Sequence, residues 1–357
     1  MRIAVDCRMI GSGGIGSFIS GLLPYFLEEN ECLLIGRHEQ CSPFLRLPNA
    51  SFCFCGIRPF SVKEIFFFPE DVLEEINQRD VYFTPYCNIP GGIRIPVFST
   101  IHDVVFLDVR GLTGFLGRFA RKLFYGRAAG CSDGIFTVSN FSKERILRHL
   151  RCKKPPEVVH NSAPAYLREP FDNSPQKKDQ ILFVGNIKRH KGLGTLLEAF
   201  QAASQKNGSF KSSLVIVGNA ENFRTGDDEI SGRLRELSSE RDDIVFTGKI
   251  SDEELRVLYA SSKVLVQPSL YEGFGMPPLE AMTVGTRAII SDIPVFKEIY
   301  SDFPVTFFRA GDADDLSEKL LSFEDSPLSD DELSLIRGKY SYKKSAQKIV
   351  EVMGGKL

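Results

Sequence analysis

The residues best suited to chemistry lie close together in Pro268-Ser269-Leu270-Tyr271-Glu272-Gly273-Phe274-Gly275-Met276-Pro277-Pro278-Leu279-Glu280-Ala281-Met282. The apolar run Val264-Leu265-Val266 reads as a strand ending at Pro268, and Pro277-Pro278 open a helix, since proline suits a first helical turn. A helix N-terminus presents N–H groups and partial positive charge, which suit a diphosphate. Gly273 and Gly275 let the backbone approach a ligand closely. Glu272 precedes the helix and Glu280 lies inside it, so the two carboxylates reach different parts of one extended ligand. A structural alternative makes Glu272 a loop residue and Glu280 a solvated or capping carboxylate.

Other groups are weighed in the same way. In Phe183-Val184-Gly185-Asn186-Ile187-Lys188-Arg189-His190-Lys191-Gly192, cations follow a second apolar run. A lysine there acts as a point charge on a departing diphosphate, or is only a solvated loop cation. The five histidines show no i, i+4 pair and no partner cysteine, so no zinc site is expected. Only His102 follows a strand end beside an aspartate, and along an extended chain Asp103 points the other way. Asp312-Ala313-Asp314 precedes an apolar helix pattern, so helix capping is its expected role and no metal is expected.

The elements that position these groups repeat strand then helix. Arg2-Ile3-Ala4-Val5 is a strand, Gly11 to Gly16 a Gly-rich turn, and Phe18, Ile19, Leu22, Leu23 and Phe26 have helical spacing. Strands follow at 32–36, 81–83, 97–101 and 134–138. Gly11, Gly13 and Gly16 fit a dinucleotide fingerprint, but the second strand ends at Gly36-Arg37 without the acidic residue that grips a ribose, which disfavours a nicotinamide oxidoreductase. Pro164 to Gln180 reads as a linker. A second set of strands then appears at 181–185, 214–218, 244–246, 264–266 and 288–290. The expected fold class is α/β, two Rossmann-like doubly wound domains facing each other across a cleft. The first spans 1–165 and the second 178–338. A last helix at about 340–357 packs back on the first domain in one arrangement that the pattern allows.

Composition sets outer bounds. The chain has 357 residues, 43% hydrophobic and 25% charged, which suits two ordinary globular domains. Lys plus Arg number 44 against 46 Asp plus Glu, net −2, so a dedicated nucleic-acid binder is disfavoured. Asp6 interrupts the N-terminal apolar run, so no secretory signal is expected. No stretch reaches the roughly 20 apolar residues of a membrane span. The expected setting is the cytoplasm, with peripheral contact at the inner face of the membrane left open. All eight cysteines lie between Cys7 and Cys152 and are expected to be reduced.

The segment Glu272 to Glu280 strongly resembles the Glu-x7-Glu motif of the retaining GT-B glycosyltransferases of family four, in particular its mannosyltransferase-like group. The likeness extends over nearly the whole chain: Asp6-Cys7-Arg8 with Gly13-Gly14-Ile15-Gly16, Thr100-Ile101-His102-Asp103, Val159-His160-Asn161-Ser162, and Phe246-Thr247-Gly248-Lys249-Ile250. It implies that His102, Lys191 and Glu272 are catalytic. It implies donor contacts at Gly14, Gly16, Asn186, Lys188, Arg189, Gly248, Lys249, Ile250, Gly273, Phe274, Gly275, Met276 and Glu280. Glu272 would hold hydroxyls of the hexose and Glu280 those of the ribose. Asn186 stands where the family often has arginine, so Lys188 or Arg189 would supply that phosphate contact. No cofactor or metal is implied. The expected reaction moves a hexose from a nucleotide-diphosphate sugar to a glycan or lipid-linked acceptor with retention of configuration. The donor leans towards GDP-mannose, with a UDP-sugar as the alternative. An epimerase or phosphorylase on the same fold and a non-catalytic binding module are the rival readings.

Finally, residues 115–127 interleave Phe115, Leu116, Phe119, Leu123, Phe124 and Tyr125 with Arg118, Arg121, Lys122 and Arg127. The helix either lies on an anionic membrane or is half-buried with a solvated basic face.

Overall fold

The computed structural model describes residues 1–171, 175–208, 210–218 and 239–355, together with 232, 234, 236 and 237. Residues 172–174 of the expected linker, and 356–357 of the expected last helix, lie outside the described residues. The chain divides into two compact units, Met1–Ser162 with Tyr340–Leu357, and Ala163–Lys339.

The first unit has a seven-stranded sheet, ordered β3-β2-β1-β4-β5-β6-β7. Its strands are β1 (Arg2–Asp6), β2 (Glu31–Gly36), β3 (Ala50–Phe54), β4 (Val81–Thr84), β5 (Val97–Thr100), β6 (Gly134–Thr137) and β7 (Glu157–Val158). All neighbouring pairs are parallel. Parallel strands covered on both faces read as continuous apolar runs, which is why Ile3-Ala4-Val5 and Leu33-Leu34-Ile35 were legible. Ile3 and Val5 meet Phe18, Leu22 and Phe26 of the helix Gly13–Glu29 on one face. Ala4 and Leu33 join Tyr82, Ile101 and Ile135 on the other. The last helix, Tyr342–Gly354, belongs to this unit, and its Tyr342, Ile349 and Met353 complete the first of those cores. A Cβ on Gly21 would lie 2.2 Å from the Tyr342 ring, so glycine makes that contact possible.

The second unit has a six-stranded parallel sheet, ordered β10-β9-β8-β11-β12-β13. The strands are β8 (Lys178–Val184), β9 (Ser213–Val217), β10 (Ile244–Gly248), β11 (Ser262–Gln267), β12 (Ala288–Ser291) and β13 (Val305–Phe308). In both sheets the strand order reverses beside the first strand, between β1 and β4 and between β8 and β11. Ligands of doubly wound sheets bind outside the carboxyl ends of the strands at such a point.

Local expectations are corrected in three places. The first helix starts at Gly13, so Gly14 and Gly16 sit in its opening turn rather than in a loop. The expected linker contains a 3-10 turn, Ala165–Arg168, with Leu167 buried, and β8 already begins at Lys178. The helix Phe115–Cys131 has its sides reversed: Phe115, Leu116, Phe119 and Leu123 are exposed, while Arg118, Arg121 and Arg127 are half-buried. The basic face is therefore not the solvated one. Asp312 does cap the helix Ala313–Leu321, its carboxylate accepting from the Asp315 amide at 2.9 Å.

Candidate functional site

The second unit's site is built on the loops after β8 and β11, the strands on either side of the order reversal. The loop after β8 ends in a 3-10 turn, Arg189–Lys191, and then Gly192 at φ 70°. A Cβ on Gly192 would lie 1.9 Å from the Pro268 carbonyl oxygen, so only glycine lets these two loops touch. The His190 carbonyl accepts from the Leu270 amide at 2.8 Å, strapping one loop to the other.

That strap sets Lys191 against Glu272. The ammonium lies 2.7 Å from Oε1 and 2.8 Å from Oε2. Glu272 is only 8% exposed and Lys191 is half-buried. Ser269 Oγ donates to Glu272 Oε1 at 2.8 Å and itself accepts from Gln267 Nε2 at 3.0 Å. A charge-assisted pair of this kind fixes both side chains. His190 is buried beneath them, and burial, with Lys191 next in effect, pushes its pKa down to about 4.

The helix Met276–Thr283 follows the turn at Gly275, whose φ is 83°. A Cβ there would lie 2.2 Å from the Phe296 ring. The sequence suggested a helix terminus rich in N–H donors, and the structure narrows that. Pro277 and Pro278 have no N–H, and the Leu279 amide donates to Tyr300 Oη at 3.2 Å. Tyr300 Oη in turn donates to the Gly275 carbonyl. What this turn offers an anion is the Met276 amide and the helix dipole. Glu280, one side of the same helix, accepts from the buried Tyr259 hydroxyl at 2.6 Å. Burial pushes the Glu280 pKa up to about 6 despite that bond.

Glycines crowd the carboxyl ends of the other half of the sheet. A Cβ on Gly218 would lie 2.1 Å from the Gly185 carbonyl, and the Gly218 amide donates to the Gly248 carbonyl at 3.1 Å. Asn186 and Lys188 beside them are half-buried, Arg189 and Lys249 are exposed, and Ile250 is half-buried. Gly273 and Phe274 are buried in the turn.

The first unit carries the remaining expected residues. His102 Nε2 lies 2.9 Å from the Pro85 carbonyl, and the ring meets Phe18 edge-on at 5.0 Å. Burial pushes its pKa down to about 4, so the ring is neutral near pH 7. A bond to a carbonyl requires Nε2 to carry the proton, leaving Nδ1 as acceptor. Asp103 accepts from the Val105 amide at 3.0 Å and so is occupied locally. A Cβ on Gly16 would lie 2.6 Å from the Met9 carbonyl, whereas Gly14 is exposed with nothing within 4 Å.

Beneath this loop lies a buried cluster that the sequence did not reveal. Arg8 Nη2 lies 2.5 Å from Asp6 Oδ2 and 2.5 Å from Glu64 Oε1. Tyr82 donates to Asp6 at 2.8 Å, and Tyr86 and Asn88 donate to Glu64. Burial raises the Glu64 pKa, and Arg8 opposes it. The available signal was a carboxylate set in the apolar run before Ile65-Phe66-Phe67-Phe68. Tyr259 and Tyr300, which hold Glu280 and the helix start, gave no such signal.

Comparison with known proteins bears on both units. Residues 168–344 match the family model described as "Glycosyl transferases group 1". The chain is similar to O-antigen chain mannosyltransferase B of Escherichia coli, 29% identical over 180 residues, covering 47% of this chain and 45% of that protein. It is also similar to the O-antigen chain mannosyltransferase RfbU of Salmonella typhimurium, 31% identical over 170 residues, covering 48% and 42%. The chain thus spans less than half the length of these curated relatives. In three dimensions it resembles sucrose-phosphate synthase from Thermosynechococcus elongatus, with TM-score 0.72, 18% identity and coverage of 99% and 98%. Anabaena HepE, solved with UDP-glucose, gives TM-score 0.74 at 12% identity, covering 99% and 100%. The whole chain therefore has the GT-B fold of two Rossmann-like domains, and its residues 168–344 are similar to the group 1 glycosyl transferases.

Proposed function

We propose that the chain is a retaining glycosyltransferase that moves a hexose, with mannose favoured, from a nucleotide-diphosphate sugar to a glycan or lipid-linked acceptor in cytoplasmic polysaccharide assembly. The observation that carries this reading is the Lys191–Glu272 pair, 2.7 Å apart where the strand order reverses. The same spot offers a cation for a leaving diphosphate and a carboxylate for sugar hydroxyls.

In the reaction, the bond from the anomeric carbon to the diphosphate oxygen breaks as the acceptor oxygen bonds to that carbon from the same face. Positive charge builds on the sugar and negative charge on the leaving oxygen, which takes the proton of the acceptor hydroxyl. Lys191, with Lys188 or Arg189, neutralises the leaving charge, an effect largest in the transition state. Glu272, braced by Ser269, orients the hexose, and Glu280 receives the ribose hydroxyls. Neutral His102 offers Nδ1 as an acceptor to a sugar or acceptor hydroxyl. The reading calls for no cofactor or metal. The likeness of part of this chain to two mannosyltransferases supports GDP-mannose over a UDP-sugar as donor.

The test is a thermal-shift panel of GDP-mannose, UDP-glucose and UDP-N-acetylglucosamine on wild type and Glu280→Ala, followed by NMR of the product anomer. Stabilisation by GDP-mannose, lost in the variant, with an α-linked product is expected. No response to any nucleotide sugar, or an inverted product, overturns it.

A further inference from the structure

We infer that the first unit holds a phosphate-binding crevice of its own, outside the carboxyl ends of β1, β2 and β3, where Arg37 and Arg58 grip a phosphorylated sugar. The cavity there has a volume of about 450 Å³ and is lined by Arg8, Arg37, Glu39, Arg58 and Pro59 among others. That is room for a sugar and a phosphate together. Arg37 and Arg58 are exposed, and neither is paired with a carboxylate among the described residues.

Both arginines are positioned through a third. Arg8, 4% exposed, is bonded to Asp6 and Glu64 and forms part of the floor. Its Nη1 donates to the Ile57 carbonyl at 3.4 Å, and Glu64 Oε2 accepts from the Phe60 amide at 3.1 Å. Arg58 thus lies between two points anchored to the buried cluster. Phe60 has φ 58°, a left-handed conformation that a bulky residue rarely adopts, and the bond to Glu64 holds it there. On the other side, Gln40 Nε2 donates to the Arg8 carbonyl at 2.8 Å, and Gln40 Oε1 accepts from the Arg37 amide at 3.0 Å. The Cys55 amide donates to the Gly36 carbonyl at 2.9 Å and ties the two strand ends together. The buried cluster therefore sets the spacing of the two free guanidinium groups before any ligand arrives.

Chemistry selects the occupant. A guanidinium is a planar fork whose donors match phosphate oxygens two at a time. In doubly wound units an arginine near the end of the second strand meets a phosphate group of the ligand, and Arg37 directly follows Gly36, the last residue of β2. The carboxylates beneath do not oppose this, because Asp6 and Glu64 are turned to Arg8, Tyr82, Tyr86 and Asn88. Glu39, exposed on the rim, is an acceptor that suits sugar hydroxyls. That the occupant is the acceptor of the transfer rests on the transferase reading; the phosphate site itself does not. The same chemistry is offered by a free sugar phosphate and by a sugar joined through a diphosphate to a lipid.

Isothermal titration calorimetry on the full chain tests this with four probes: inorganic pyrophosphate, N-acetylglucosamine 1-phosphate, farnesyl-diphosphate-linked N-acetylglucosamine, and N-acetylglucosamine as the uncharged control. Wild type, Arg37→Gln/Arg58→Gln and Lys191→Met are compared, with melting temperature as the check that each is folded. Wild type is expected to bind the phosphorylated probes and not the control. The double variant is expected to weaken that binding by about tenfold or more. Tighter binding of the lipid-linked probe assigns the site to a lipid diphosphate, and equal binding assigns it to the free ester. No binding of any phosphorylated probe, equal binding of the control, or binding lost in Lys191→Met but kept in the double variant would each overturn the inference. Stabilisation by the nucleotide-sugar donor is expected to be unchanged in the double variant, so a failure of this site and a failure of the transferase reading show separately.

Discussion

Lys191 and Glu272, 81 positions apart, meet as a two-pronged ion pair at 2.7 and 2.8 Å on loops whose strands are neighbours in the sheet. The pairing means that each group is held in place before a ligand arrives, and that a diphosphate bound as proposed would share or replace the carboxylate as partner of the ammonium.

Removing the cation therefore has two separable effects. Lys191→Met leaves the Glu272 carboxylate, 8% exposed, with Ser269 as its hydrogen-bond donor, and folding stability is expected to fall by about 1–3 kcal/mol. The turnover number is expected to fall further, by about 10²–10³, because the ammonium matters most as leaving-group charge develops. Denaturant unfolding and steady-state kinetics with the preferred donor check both. An unchanged turnover number would remove Lys191 from the chemistry.

Glu280 gives a pH signature. Burial raises its pKa to about 6, so this group contributes stability that is present below the ordinary carboxylate range and is lost as pH rises through about 6. The shift corresponds to about 2 kcal/mol of penalty at neutral pH. Glu280→Gln is expected to raise the melting temperature of the ligand-free protein at neutral pH, yet to abolish stabilisation by the donor. Donor affinity of the wild type should weaken as pH falls through about 6. Titration calorimetry across that range checks it, and a flat profile would separate Glu280 from the donor.

How much of this was legible depended on distance along the chain. The strands β8 and β11 were readable because both faces are covered and their sequences are continuous apolar runs. Glu272 and Glu280 were readable because their chemistry is written in one contiguous turn and helix. Glu64 was not, because its partner Arg8 lies 56 positions away and nothing local announces the pairing. Tyr259, 21 positions from Glu280, was invisible for the same reason. The helix Phe115–Cys131 shows a subtler limit. Periodicity divides it into two faces, but which one turns inward is decided by the carbonyls of Leu107 and Ile89 that capture its arginines.

His102, half-buried, and His190, buried, bear on acid stability with the opposite sign to Glu280. His102 and His190 are both held at about 4 against an ordinary 6.5, so their contribution is present above pH 6.5 and is lost as pH falls through about 4. Each is worth at most about 3 kcal/mol. Thermal melts of His102→Asn and His190→Asn should lose part of the acid-side destabilisation seen in wild type. With His102 neutral, the pH–rate profile should also show no limb near 6.5 that disappears in His102→Asn. Such a limb would mean that the ring ionises in the working enzyme.

Gly192 tests whether the geometry of the ion pair depends on the approach of the two loops. At φ 70°, with the Pro268 carbonyl 1.9 Å from where a Cβ would stand, alanine is both strained and obstructed. The left-handed conformation alone costs roughly 1–2 kcal/mol, and the overlap must be relieved by moving the Pro268 loop away from the 3-10 turn. That movement breaks the strap from the His190 carbonyl to the Leu270 amide, 2.8 Å long, and carries Glu272 away from Lys191. Gly192→Ala is expected to lower stability by about 2–4 kcal/mol and to lower turnover to nearly the level of Lys191→Met. Gly14→Ala, exposed and with nothing within 4 Å, is the control and should change stability by no more than about 0.5 kcal/mol. If Gly192→Ala lowers stability but leaves turnover intact, the loop contact supports the fold alone and Lys191 keeps its place by other means.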